Sequence, residues 1–207
     1  MDTLEPQFDL IAGNLCLDFA NTVGGLPPDS PSQERITSYS ELVVWSWQTG
    51  LLSEQEACLL LHKAELVPLE SAAILERART LREGIRRIFR AVVQGEYPDA
   101  NDLNLLNSEL DRAMAGARVV ESEGRFELEW PMTEGVLDQM LAPIVRSGAT
   151  LLTSADRRFF GQCANEDFRW LFVDTTNNHT RRWCRTNGCG NVMRVRKHRE
   201  QQRSNEK

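Results

Sequence analysis

The chain has 207 residues, 41% of them hydrophobic and 26% charged, which is enough to bury a core as one ordinary domain with an appendage or as two small domains. No apolar run approaches the roughly 18 residues of a membrane span, and the N-terminus, MDTLEPQFDL, lacks the basic-then-apolar pattern of an export signal. A cytoplasmic protein without a membrane partner is expected, so its five cysteines are read as reduced thiols or metal ligands rather than disulfides. The net charge of -6 is unevenly placed: residues 157–207 hold 12 Lys+Arg against 5 Asp+Glu (+7), leaving 12 against 25 (-13) for residues 1–156. A basic end on an acidic body suits a protein that touches a polyanion with one end only; the alternative is a solvated basic helix with no partner.

In chain order, FDLIAGNLCLDFANTV predicts a short turn and a helix from about Asn14, with the breaker-rich GGLPPDSPS as a loop through Ser32. Ser38 and Glu41 have capping-box spacing ahead of a helix that carries Trp45 and Trp47 and stops at Gly50. Ser53 and Glu56 repeat the pattern for EQEACLLLHKAEL, closed by Pro68. From Pro68 to Gly95, Ile74, Ala78, Leu81, Ile85, Ile88 and Val92 form one stripe of a long helix, with Glu76, Arg79, Arg82, Arg86 and Arg90 on its other face. A helix over Asp99–Ala115 follows, then a hairpin over Val119–Trp130 with its turn at Ser122–Gly124. A last helix is expected from Thr133 to about Ser154, with Pro143 as a source of a kink.

Residues 1–156 hold no phosphate loop, GxSxG or HExxH, and the lone His62 reads as a packing or surface residue. Cys16 and Cys58 both read as core cysteines. The chemistry lies between Cys163 and Arg199. Cys163, Cys184 and Cys189 have separations that can close a loop on a soft divalent ion, usually zinc in a reduced compartment. Between them, Trp170–Val173 and Arg181–Trp183 are expected to pair as a hairpin with Asp174–His179 as the turn, and NVMRVRKHREQQ as a helix after Gly190. The expected fold is therefore mainly α with small β elements: a helical N-terminal domain over 1–155 and a treble-clef-like module of knuckle, β-hairpin and helix over 156–207.

RRWC-x4-CGN followed by a basic helix resembles the CGNR zinc-finger family, and GNLCLDFANTV resembles the opening of the ABATE domain that accompanies it. The resemblance implies a stress-induced bacterial transcription regulator. Two positions depart from the family pattern. The second cysteine of its first knuckle falls on Phe168, and the arginine of CGNR on Val192. A fourth ligand would then come from His179, Asp167 or water. His198 is too far, since nine residues of helix carry it about 13 Å along the axis. Alternatively the metal has been lost and Phe168, Trp170, Phe172 and Trp183 hold the module together.

On the last helix, Val192 and Val195 are expected to dock on the hairpin, leaving Arg194, Lys197, His198 and Gln201 outward for a DNA groove. Arg181 and Arg182 are expected to meet phosphates. A small-molecule effector or homodimer contact is expected of the N-terminal domain, with no residue identifying it. The competing readings are a protein-interaction module without DNA binding and a metalloenzyme with an open zinc position. Against the latter, the sequence has no HxE partner like that of the zinc deaminases, and no catalytic residue is expected.

Overall fold

The computed structural model describes residues 7–24, 34–130, 135–165 and 168–205, and its helices begin where polar caps meet apolar periodicity. The elements are α1 (Leu15–Ala20), α2 (Tyr39–Gln48), α3 (Glu54–Leu66), α4 (Pro68–Gln94), α5 (Ala100–Met114), β1 (Arg118–Ser122), β2 (Arg125–Glu129), α6 (Leu141–Thr153), β3 (Phe160–Gln162), β4 (Leu171–Val173) and α7 (Asn191–Asn205). Asn14 caps α1 by accepting from the Cys16 N–H. Ser38 with Glu41 and Ser53 with Glu56 form both expected capping boxes. Pro68 occupies the first turn of α4, where its missing N–H costs nothing. Gly95 ends α4 with φ +74°, a left-handed conformation that glycine adopts without strain.

Helix α4 is the spine of the body. Ile74, Ala78, Leu81, Ile85 and Ile88 are buried along the expected stripe, with α1, α2, α3 and α5 packed around it. Beside the stripe, the Phe19 and Trp45 rings meet at 5.1 Å. Arg82, read as surface from periodicity, is only 3% exposed. The segment around Glu34 and Ile36 crosses α4 there, so the Arg82 guanidinium donates to the Glu34 carboxylate and to Thr22 Oγ1.

Several other expectations are corrected. Thr133 lies outside the described residues, and α6 begins at Leu141. Pro143 therefore sits in its first turn, where no N–H is needed and no kink follows. Cys16 is in the core, but Cys58 is exposed on α3, a helix that buries only Ala57 and Leu60. The β1–β2 hairpin forms in the register Val119↔Leu128 and Glu121↔Phe126.

In the C-terminal part, β4 pairs with the upstream β3, Phe160↔Val173 to Gln162↔Leu171, and not with Arg181–Trp183. Gly161 makes this pairing possible, since a Cβ there would fall 2.4 Å from the Phe172 ring. Arg181–Trp183 lies instead beside the knuckle, where the Ala164 N–H donates to Arg182 O. Asp174 closes the turn by accepting from the Thr176 and Arg181 N–H groups. Leu171 and Val173 join the same hydrophobic core as the helices.

Candidate metal centre

Three elements bring three sulfurs together. Cys163 follows β3, its N–H donating to Trp170 O at 2.8 Å. Cys184 follows the Arg181–Trp183 segment, and a π-helical turn over Thr186–Gly190 returns Cys189 to it. The three Sγ atoms lie within 4.8 Å of one another, with Cys184 and Cys189 at 3.3 Å, and all three residues are buried. Thiolates about 2.3 Å from a tetrahedral zinc stand about 3.8 Å apart, so closing on an ion takes only small side-chain movements. Soft thiolate donors suit zinc, and Cys163, Cys184 and Cys189 are positioned to hold it as a cross-link between β3, the Cys184 segment and the start of α7.

A hydrogen bond from the Cys184 thiol holds the Cys163 thiol down to about 6, and the same bond together with burial pushes Cys184 up.

The candidate fourth ligands fare differently. His179 is not part of the cluster among the described residues. Its ring stacks on Phe159 at 3.9 Å, with Nδ1 3.1 Å from Asp174 O. Asp167 lies outside the described residues. Phe168 packs half-buried against the cysteines and edge-on to Trp170 at 5.9 Å. Ile11 and Trp183 complete the hydrocarbon wall.

The opening motif of the body clamps this module. Asn21 acts as a substitute strand, its Nδ2 donating to Leu171 O and its Oδ1 accepting from the Leu171 N–H, at 2.8 and 2.9 Å. The Val173 N–H donates to Ala12 O, and Trp170 Nε1 to Val23 O. Asp18 braces the segment by accepting from the Ala12 N–H at 2.9 Å; burial pushes its carboxyl above the usual range, while the Ala12 and Ile11 amides and Arg181 pull the other way. Asn14, Asp18 and Asn21 recur at helical spacing inside an otherwise apolar segment. That pattern of short polar residues facing one way is the signal that could have marked the clamp in the sequence.

The expected DNA-contacting residues divide. Arg181 is half-buried: its guanidinium donates to the carbonyls of Ile11, Val173, Trp183 and Cys184 and lies 4.3 Å from the Phe172 ring, so it joins body to module. Arg182 is exposed beside the Trp183 ring. A cavity of about 450 Å³ opens there, lined by Thr176, Thr180, Arg181, Arg182, Trp183 and Cys184. Arg194 and Gln201 are exposed on α7. Lys197 and His198 lie on the same helix; their side chains are outside what the structure describes. Val192 and Val195 do not dock on the hairpin, being 45% and 50% exposed.

No helix among the described residues is long and apolar enough to cross a membrane. No curated protein matches the chain. Residues 160–202 match the CGNR zinc finger, and residues 13–155 match ABATE, described as a putative stress-induced transcription regulator. Both are regulator or finger types rather than enzymes. With most of its length inside the first match and its three-cysteine centre inside the second, the chain belongs to the ABATE family and carries a C-terminal CGNR zinc finger.

Proposed function

We propose that the protein is a bacterial, cytoplasmic, non-enzymatic transcription regulator whose module over 156–207 binds DNA and whose helical domain over 1–155 senses an effector or mediates assembly. The observation that carries this reading is α7: it leaves the cysteine centre with Arg194, Gln201 and both valines uncovered, near the exposed Arg182, in the half of the chain with a +7 balance (12 against 5). A basic helix held at one end by a metal centre and open to solvent suits entry into a major groove about 12 Å wide.

The test is a gel-shift series with the full chain and genomic duplex fragments from about 50 to 200 mM salt, where affinity should fall with a slope near -0.9 per phosphate contacted. Arg182→Ala should flatten that slope by about one contact for all sequences alike. Arg194→Ala should lose about 1–3 kcal/mol of discrimination between sites. A chain that binds no duplex at about 50 mM salt, or binds with no salt dependence, defeats the regulator reading. The protein-interaction reading would then take its place, favoured by the Arg185–Asp9 and Arg181–Ile11 contacts that already dock basic side chains of the module on the body.

A further inference from the structure

Among the described residues the sulfur cluster contains three thiols, and no histidine or carboxylate group joins them. Ile11, Phe168, Trp170 and Trp183 pack against it, Asn165 is its polar neighbour, and Cys184 borders the cavity lined by Thr176, Thr180, Arg181 and Arg182. Charge decides which occupant suits such a place. A divalent ion on three thiolates leaves one negative charge, and an uncompensated buried charge is costly. Arg181 donates to Cys184 O, and it also faces the half-buried Asp18. A trivalent centre that forms three bonds and keeps a lone pair gives a neutral complex that needs neither a fourth ligand nor a counter-ion.

Resting on the metal-centre reading above, we propose that Cys163, Cys184 and Cys189 also form a binding site for trivalent arsenic and similar three-coordinate thiophilic centres, which displace the divalent ion. The exchange is balanced without any redox step. Arsenous acid loses three As–O bonds and gains three As–S bonds. Three protons taken from solvent, since the zinc-bound sulfurs carry none, combine with its hydroxyls to leave three waters, and zinc departs as the divalent cation. Soft thiolates favour such a centre, and the 3.3 Å Cys184–Cys189 separation already brings two sulfurs to the spacing that neighbouring ligands of one small centre require. The remaining cysteines cannot substitute: Cys58 is a lone exposed thiol, while Cys16 is buried, its thiol pushed up by burial, and neither belongs to the cluster.

The experiment uses full-length, zinc-loaded protein and arsenite as the probe, with released zinc read by a chromogenic indicator and the adduct by native mass spectrometry. One zinc should leave per chain, and one arsenic should replace three protons in the metal-free mass, with a new near-ultraviolet sulfur-to-arsenic absorption. Cys163→Ser should bind arsenic about 100-fold more weakly, because one intramolecular thiolate is gone, and its adduct should retain a hydroxyl. Cys58→Ser, at an exposed position, should match the wild type. Zinc that stays bound under excess arsenite, an adduct that involves two sulfurs, or a dependence on Cys58 overturns the proposal and leaves the zinc reading intact. Protein that takes up neither zinc nor arsenic overturns both.

Discussion

The helical body and the C-terminal module are stabilised by opposite means. In the body, α4 buries a continuous hydrocarbon stripe, its ends are closed by Pro68 and Gly95, and neighbouring helices carry their own capping boxes. In the module, the separate core consists of Cys163, Trp170, Cys184 and Cys189, while β4 is buried in the core of the body. Phe160 packs on Phe89, and polar ties add to this, among them Asn21 on Leu171 and Arg181 on four carbonyls. A few apolar side chains cannot offset the entropy of ordering residues 160–205. The module therefore depends on a metal at one end and on the body at the other, whereas the body depends chiefly on its own burial.

Metal removal should separate the two regions most sharply. Structural zinc sites have apparent binding free energies of about 10 kcal/mol or more. A chelator, or Cys184→Ser, should therefore raise amide exchange across 160–165 and 184–205 while leaving 74–92 protected. If α4 loosens in step, the two regions are one cooperative unit. Leu81 is 1% exposed, and Leu81→Ala should cost about 2–5 kcal/mol as a core cavity, read as a lower melting temperature of the body.

Arg181→Ala should cost about 3 kcal/mol, since several charged-donor hydrogen bonds to carbonyls are lost together. Its exchange signature should appear in the module and in residues 11–23, and Arg182→Ala should show neither effect. Equal losses from the two variants would refute the division between a clamping and an exposed arginine.

The Glu34 carboxyl makes a smaller, pH-dependent contribution to the body. Burial pushes its pKa up, but hydrogen bonds from Arg82 and the Ile36 N–H, with the Arg82 and Arg79 charges, outweigh this and hold it below the ordinary 4.5. A depressed carboxylate stabilises the fold above its unfolded pKa and loses that effect as pH falls through the folded one. The melting-temperature gap between wild type and Glu34→Gln should thus be full above about pH 4.5 and close below it. The smallest effect is expected at Phe126, which is 78% exposed. Phe126→Ala should change stability by less than about 0.5 kcal/mol in the same melts.

Helices α1 to α5, the capping boxes of α2 and α3, the long apolar stripe, the β1–β2 hairpin and the convergence of three cysteines were legible in the sequence. The helices, caps and hairpin depend on residues within a turn or two of one another, whereas Cys163 and Cys184 are 21 positions apart and converge beside a β3–β4 pairing that was not the one expected. Tertiary structure alone decided the rest. Arg82 became buried because a distant segment crosses α4, and His179 was drawn onto Phe159 rather than toward the sulfurs. The strand pairing changed because Gly161 leaves room for the Phe172 ring. Arg181, outwardly a phosphate-seeking side chain, donates to the carbonyl of Ile11, 170 residues earlier, and Val192 and Val195, expected to dock on the hairpin, stay half-exposed. Local periodicity and capping report on neighbours in the chain. Which polar group meets which, across 150 residues or more, is settled only when the buried donors and acceptors of the whole fold must all find partners.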